Sequence, residues 1–148
     1  MEILEKRKAP LLLTPHPGEM ARLINGSVAE VQRDRIGAAR GLSISTGVYL
    51  ALKGARTIIS DPAGNIFINP TGNPSMATAG MGDVLSGMIG SFLAQGLAPS
   101  DALNLGVFLH GRCGDMAAER RGRAGIMAGD LLELIPEALE TLRRKRGA

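Results

Sequence analysis

NPSMATAGMGDVLSGMIGSFLAQ, residues 73–95, holds the most informative pattern in this chain, a glycine-rich loop followed by an apolar segment. The loop runs over residues 71–82, and the apolar segment predicts a helix from about Asp83 to Gln95. More than half of the helix surface would be apolar, through Val84, Leu85, Met88, Ile89, Phe92 and Leu93. We therefore expect this helix to be largely buried.

The start of this helix is typical of an anion-binding site. Backbone N–H groups of residues 79–83 would point outward together, and the helix dipole adds positive potential there. This suits the charge that develops on a phosphoryl group during transfer. The carboxylate of Asp83 would repel phosphate, so it is unsuited to binding an anion. Its presence is explained if it accepts a proton from an attacking hydroxyl. The alternative interpretation is that Asp83 only caps the helix.

Two upstream segments follow predicted strands, where ligands bind in open α/β sheets. Residues 14–19 follow a strand predicted over residues 9–14, and their prolines would hold His16 rigidly. Residues 53–57 follow a strand predicted over residues 47–52, and Lys53 and Thr57 could contact phosphate or ribose oxygens. For His16 the simpler alternative is a turn histidine that hydrogen-bonds the backbone. For residues 53–57 it is a plain tight turn, since the P-loop spacing is absent.

The remaining elements complete an α/β pattern. We predict helices over residues 17–24 and from the capping box Ser27–Glu30 to Gly41, a hairpin of residues 57–60 and 66–69, a helix from Pro99, and a last helix from Ala128 that Pro136 divides. The order strand, helix, helix, strand, hairpin and three helices predicts one layered α/β domain over residues 1–148. So few strands beside so many helices suggest an incomplete sheet.

Composition narrows the functional class. Of 148 residues, 45% are hydrophobic and 21% charged, which fits a folded domain with a core. The net charge of +3 comes largely from residues 143–146, a run typical of a solvated helix end. The chain has only four aromatic residues, and this scarcity argues against nucleic-acid binding. The single cysteine, Cys113, cannot form an internal disulfide, so we expect a cytoplasmic protein. We expect neither a membrane span nor a signal peptide in residues 1–8.

Histidine and cysteine are too scarce for a zinc site, since the chain has two His and one Cys. Any metal would be Mg²⁺ carried mainly by nucleotide phosphates. His110 lies on the helix after Pro99 together with Asp115. We interpret His110 as a core histidine beside Gly111, with catalysis as the alternative.

Five collinear blocks resemble the ADP/ATP-dependent NAD(P)H-hydrate dehydratases, a ribokinase-like family. The blocks are TPHPGEMARL at residues 14–23, LKGARTII at 52–59, NPTGNPSMATAGMGDVLSGMI at 69–89, GVFLHGRCGDMAA at 106–118 and IMAGDLLELIPEAL at 126–139. The resemblance implies a layered α/β/α ribokinase-like fold. Family domains are longer, and the matched blocks belong to their C-terminal half, so we expect a domain truncated to that half.

The resemblance also implies an activity. Members repair hydrated NADH or NADPH: ADP or ATP with Mg²⁺ phosphorylates the added hydroxyl, and phosphate then leaves. Asp83 matches the catalytic base, and the resemblance assigns the other positions as follows: the anion hole to Ala79, Gly80, Met81 and Gly82; the nucleotide site to Lys53, Gly54, Ala55, Arg56, Thr57 and Gly82; the substrate site to His16 and Asp83. Members are commonly oligomeric, so we expect a homo-oligomer.

The chain departs from the family pattern in two places and in length. Ser75 stands where glycine is usual and Met81 where threonine is common, but backbone N–H groups survive either change. Because the N-terminal half is missing, we expect the isolated chain to be marginal or inactive unless another polypeptide supplies it, and robust turnover by the chain alone would refute this. Two alternatives stay open: a ribokinase-like small-molecule kinase using the same Asp83, and an inactive nucleotide-binding remnant.

Overall fold

Four short strands form one mixed sheet in the order β1-β2-β3-β4. The computed structural model describes residues 8–146. Strand β1 (Leu12–Leu13) pairs in parallel with β2 (Tyr49–Leu52), and β3 (Ile58–Ser60) and β4 (Ile66–Ile68) extend the sheet as an antiparallel hairpin. The predicted hairpin is confirmed. The first strand is shorter than predicted because only Leu12 and Leu13 find ladder partners on β2.

Helices cover both faces of this sheet. The helices are α1 (Pro17–Leu23), α2 (Val28–Arg33), α3 (Arg35–Thr46), α4 (Met81–Ala94), α5 (Pro99–Arg121) and α6 (Ala128–Arg146), with a 3₁₀ turn at Pro74–Met76. Successive residues of β2 point to opposite faces. Leu50 and Leu52 pack with residues of α1, α2 and α3, whereas Ala51 packs with residues of α4 and α5. Helix α6 packs behind α4 and α5, so the expected layered α/β/α arrangement is confirmed.

The predicted helix from residue 28 to residue 41 is wrong, because two helices occupy this region. Asp34 ends α2 and caps α3, its Oδ1 accepting a 2.7 Å hydrogen bond from the N–H of Gly37. Aspartate is a favoured N-cap residue, so a break here stabilises the start of a new helix. Helix α3 then continues to Thr46 and ends at Gly47, whose φ is +66°.

The predicted division of the last helix at Pro136 is also wrong, since α6 runs through it. Proline lacks an N–H, so the carbonyl of Leu132 loses its helical donor. The side chain of Leu132 is 54% exposed, so this face of α6 borders solvent and water can bond that carbonyl. The predicted buried stripe is confirmed: Leu131, Leu134 and Ala138 are buried, and Ile135 and Leu142 pack against them.

The central helix α4 is buried as predicted, although it begins at Met81 rather than Asp83. Leu85 and Ile89 contact the sheet side, and Met88 and Phe92 contact the α5 and α6 side.

Burial raises the pKa of the Cys113 thiol on α5 to about 11. Within residues 8–146, no helix combines the length and apolar character needed to cross a bilayer.

The predictions for the two chain ends are tested only in part. The expectation of no signal peptide concerns residues 1–8, of which only Lys8 is described. Of the basic run at residues 143–146, Arg143 and Arg144 are exposed, and the side chains of the other two lie outside the described part.

Substituting Gly106 tests the close contact between α4 and α5. A Cβ at this position would lie 2.6 Å from Cγ1 of Ile89. We expect Gly106→Ala to lower the free energy of unfolding by about 1–3 kcal/mol, the usual effect of overpacking, as measured by urea denaturation. Gly87→Ala and Gly90→Ala are matched controls on α4, where an added Cβ meets nothing within 4 Å. Each control should gain about 0.5–1 kcal/mol, and a stability of Gly106→Ala equal to theirs would contradict the contact.

Candidate active site

A cavity of about 810 Å³ opens where strands β1 and β2 end. Its sides are formed by the loop of residues 53–57 after β2, by residues 69–74 and 76–79, and by the first turn of α4. The lining is completed by His16, Pro17, Leu85, Val107, His110 and Gly111. The volume is in the range of small-molecule sites, and the position is the one expected for ligands in an open α/β sheet.

The cavity brings together most of the residues singled out from the sequence. Its lining includes His16, Lys53, Gly54, Ala55, Arg56, Thr57, Ala79, Met81 and Gly82. Gly80 and Asp83 are not among the lining residues. Asp83 directly follows Gly82, which lines the cavity, and its side chain is exposed and not in the core.

The first turn of α4 presents free backbone donors to the cavity. Gly80 is the N-cap, and its carbonyl accepts from the N–H groups of Asp83 and Val84, both at 3.1 Å. The predicted set of outward amides therefore ends at Gly82, one residue earlier than expected. As the first two residues of the helix, Met81 and Gly82 have N–H groups without an intrahelical acceptor, and both residues line the cavity.

The alternative in which Asp83 caps the helix is wrong. Asp83 is the third residue of α4, and no side chain caps this helix. Ser86 lies one turn further along the same face, with its Oγ 3.4 Å from Oγ1 of Thr14. This face of α4 therefore points towards the segment after β1, which also contains His16.

Lys53 places a positive charge at the same helix end. A Cβ on Gly82 would lie 3.2 Å from the Nζ of Lys53, so the ammonium group sits directly against the first turn of α4. The backbone N–H of Lys53 donates to the carbonyl of Pro15 at 2.8 Å, and its Nζ lies 3.8 Å from Oε2 of Glu19. The ammonium group and the free amides of α4 together form a site of positive potential.

His16 is held by the cap of helix α1. Its Nδ1 accepts from the N–H groups of Gly18 at 3.1 Å and Glu19 at 3.2 Å, while Oε2 of Glu19 accepts from the N–H of His16 at 2.7 Å. The interpretation of His16 as a turn histidine that bonds the backbone is confirmed, and the same ring also lines the cavity. The N–H of His16 lowers the pKa of Glu19, with Lys53 adding to this and partial burial opposing it.

Arg35 holds the 53–57 loop in place, a contact that the sequence reasoning missed. It is the first residue of α3, and its guanidinium group donates to the carbonyls of Ala55 at 2.6 Å, Leu52 at 3.2 Å and Lys53 at 3.5 Å. Arg35 falls inside the helix predicted from Ser27 to Gly41, where an arginine carries no local signal of this role. The contacts hold the backbone of the 53–57 loop, and Arg35 itself does not line the cavity.

His110 lines the cavity and is half-buried, whereas the sequence predicted a core histidine. Its Nε2 is buried and has no hydrogen-bond partner within residues 8–146. Burial lowers the pKa of His110, a backbone contact with Met81 opposes this, and the charge of Lys53 lowers it further. We therefore expect the ring to be neutral at physiological pH.

The lowered pKa of His110 predicts a pH-dependent stability. Below the unfolded pKa of 6.5 the unfolded chain binds more protons than the folded one, so the free energy of unfolding falls as pH drops. His110→Gln should remove this fall between about pH 7 and about pH 5 in urea titrations. Equal slopes in parent and variant would contradict the buried neutral ring.

The carboxylates provide an internal control for this titration. Backbone N–H groups of His16 and Ser27 are the main causes that lower the pKa values of Glu19 and Glu30. Their contribution to stability is present above the unfolded value of 4.5 and is lost as pH falls through the folded values. This second fall should persist in His110→Gln.

Within residues 8–146, no three His, Cys, Asp or Glu side chains come together as a metal site. Glu19 lies at the positive site but is engaged by His16 and Lys53, and Asp83, which follows Gly82 in the chain, is exposed. A metal ion at this site would therefore need most of its oxygen ligands from a bound phosphate compound.

Comparisons with known proteins agree on one family. The sequence profile of NAD(P)H-hydrate dehydratase matches residues 1–137. The chain is 50% identical over 143 residues to the bifunctional NAD(P)H-hydrate repair enzyme Nnr of Moorella thermoacetica, covering 97% of this chain and 27% of that protein.

Solved structures extend the similarity to the fold. The ADP/ATP-dependent NAD(P)H-hydrate dehydratase of Bacillus subtilis, co-crystallized with ATP/Mg²⁺, aligns with a TM-score of 0.88 at 34% identity, over 92% of this chain and 49% of that one. A ribokinase-like superfamily protein of Enterococcus faecalis aligns with a TM-score of 0.76 at 31% identity, over 90% of this chain and 46% of that one. The chain thus spans from about a quarter to about half of the length of these proteins.

Proposed function

This chain belongs to the NAD(P)H-hydrate dehydratase family, and we propose on that basis that it dehydrates hydrated NADH or NADPH at the expense of ADP or ATP. One observation carries the proposal. The ammonium group of Lys53 and the free amides of Met81 and Gly82 converge on one side of the cavity, and the exposed carboxylate of Asp83 follows immediately. Transfer of a phosphoryl group to a hydroxyl requires a base that removes the hydroxyl proton and, beside it, a site that stabilises the charge of the phosphoryl group.

The residues present fit a nucleotide whose phosphates carry Mg²⁺. Phosphate oxygens would lie at Lys53 and at the amides of α4, and the 53–57 loop supplies further polar groups for ribose or phosphate. Bound Mg²⁺ would neutralise phosphate charge, and because residues 8–146 hold no cluster of carboxylates here, the phosphates would hold most of it. We assign nucleotide contacts to Lys53, Gly54, Ala55, Arg56, Thr57 and Gly82.

The chemistry of the chain's own residues follows from this arrangement. Asp83 accepts the proton of the hydroxyl on the hydrated ring as the oxygen of that hydroxyl forms a bond to the terminal phosphorus and the bond to the leaving nucleotide breaks. Lys53 and the amides of the anion hole, Ala79, Gly80, Met81 and Gly82, stabilise the charge on the transferring group. Cleavage of the C–O bond then releases phosphate, and loss of a ring proton restores the double bond.

We assign the hydrated ring to the side of the cavity between His16 and Asp83. The contact between Thr14 and Ser86 supports this, because it turns the Asp83 face of α4 towards the segment that holds His16. The ring of His16 is fixed by two backbone bonds to its Nδ1. With Nδ1 used as an acceptor, Nε2 is the ring nitrogen that can donate to the substrate, and it lies 3.4 Å from Oε1 of Glu19.

The direct test is an assay of the purified protein with hydrated NADH and either ADP or ATP. Recovery of dihydronicotinamide absorbance with one inorganic phosphate per turnover is the expected result. Accumulation of a stable phosphorylated alcohol would favour a kinase, and nucleotide binding without turnover would favour a remnant. The chain should be assayed alone and with the rest of a family domain supplied as a second polypeptide, because weak activity of the isolated chain stays a prediction.

We also propose a cytoplasmic homo-oligomer. The buried free thiol of Cys113 supports a reducing compartment. Phe67 and Ile68, 45% and 55% exposed on the edge strand β4, support a contact between copies. A monomeric mass by light scattering at high concentration would contradict the assembly.

A further inference from the structure

Helix α5 approaches residues 71–76, which we call the wall of the cavity, at van der Waals distance. A Cβ added to Gly111 would lie 2.2 Å from Oγ1 of Thr71 and 2.9 Å from the backbone nitrogen of Gly72. No side chain fits there, because backbone atoms cannot move aside cheaply. Gly114, one turn later, faces Met76 in the same way, with 2.2 Å between the added Cβ and Sδ.

Asp115 adds a polar hold on the same wall. Its Oδ2 accepts from the N–H of Gly72 and its Oδ1 accepts from Nδ2 of Asn73, both at 2.9 Å. Asn73 passes the contact on, since its Oδ1 accepts from the N–H of Ser75 at 3.1 Å and starts the 3₁₀ turn. One carboxylate on α5 thereby holds Gly72 and Asn73 directly and, through Asn73, the start of the 3₁₀ turn.

The wall and the 53–57 loop line the same cavity. The two segments are joined at one end, where the N–H of Asn69 donates to the carbonyl of Thr57 at 2.9 Å. Nη1 of Arg56 also donates to the carbonyl of Pro70 at 2.9 Å. A ligand that rests on the 53–57 loop therefore lies in a cavity whose shape also depends on the wall.

We propose that Asp115 is a positioning residue for the nucleotide, acting through Gly72 and Asn73 of the wall. The inference rests on the proposed binding of ADP or ATP at the 53–57 loop. Gly111 brings the α5 backbone close enough to reach the wall, and Asp115 fixes the angle of the wall by accepting two hydrogen bonds. Without this acceptor the two donors of the wall are left unsatisfied beside α5, and the cavity loses its defined width.

The test is a double-substitution cycle read out by ADP binding with Mg²⁺, using calorimetry on the full chain. Asp115→Asn replaces one acceptor by a donor that faces another donor, so we expect about tenfold weaker binding. Combining it with Asn73→Asp exchanges the two side chains, and the carboxylate introduced at position 73 accepts from both the amide at 115 and the N–H of Ser75. All three hydrogen bonds and the net charge are kept, so binding should return to within about twofold of the parent.

Glu119→Gln is the matched control, because Glu119 lies one turn after Asp115 on the same helix and is exposed. It should bind ADP as the parent does. Unchanged ADP affinity in Asp115→Asn would overturn the proposal, even if that variant unfolds at a lower temperature. Failure of the combined substitution to recover binding would also overturn it. If the parent chain bound no nucleotide either alone or with the rest of a family domain supplied, the proposed function itself would fail, and the positioning role with it.

Discussion

Asp83→Asn is expected to lower kcat by about a hundredfold to ten-thousandfold, the usual contribution of a positioned general base. The amide cannot accept the proton of the attacking hydroxyl, but it keeps the size of the side chain. Lys53 and the amides of Met81 and Gly82 are untouched, so affinity for ADP should stay within about twofold. Turnover is measured with hydrated NADH and binding by calorimetry, with the rest of a family domain supplied if the chain alone is too slow.

Asp101→Asn provides a closely matched control for this substitution. Asp101 is the third residue of α5, as Asp83 is the third residue of α4, and both side chains are exposed. Each change removes one carboxylate from the first turn of a helix, so the loss of favourable interaction with the helix dipole is the same. Only Asp83→Asn should stop turnover. Survival of turnover in Asp83→Asn would refute the assignment of the base.

Lys53→Met should lower kcat/KM for the nucleotide by about a hundredfold to a thousandfold. Its ammonium group is the cation that lies against the first turn of α4, and methionine keeps the length of the side chain without the charge. The loss should appear in both KM and kcat, because the charge of the phosphates is present in the ground state and grows in transfer. Steady-state kinetics with varied ADP at saturating hydrate measure both parameters.

Lys8→Met is the control for a general effect of net charge, since Lys8 is exposed and lies outside the cavity lining. We expect kinetics like those of the parent from this variant. Raising the ionic strength should narrow the gap between Lys53→Met and the parent only modestly, because a partly buried charge is screened less than an exposed one. An equal loss in both variants would mean that Lys53 acts only through the overall field.

The family was identified from the sequence, because the five blocks lie in family order across almost the whole chain, and the comparisons confirm it. The hairpin, the buried helix α4 and the apolar stripe of α6 were also predictable. These features depend on local periodicity and turn residues, which a single sequence displays directly. The interruption at Asp34 was open to the same reasoning, since aspartate is a common helix cap.

Only the tertiary structure determined which distant residues contact each other around the cavity. Arg35 reaches the carbonyl of Ala55 across 20 positions, and Asp115 reaches Gly72 across 43. Neither contact has a local signature, because each depends on how a helix packs against the sheet or against the wall. The exposure of Asp83 outside the cavity lining has the same origin. Residue types and their spacing identify the chemical groups of this site, and the packing of the helices fixes which of those groups face each other.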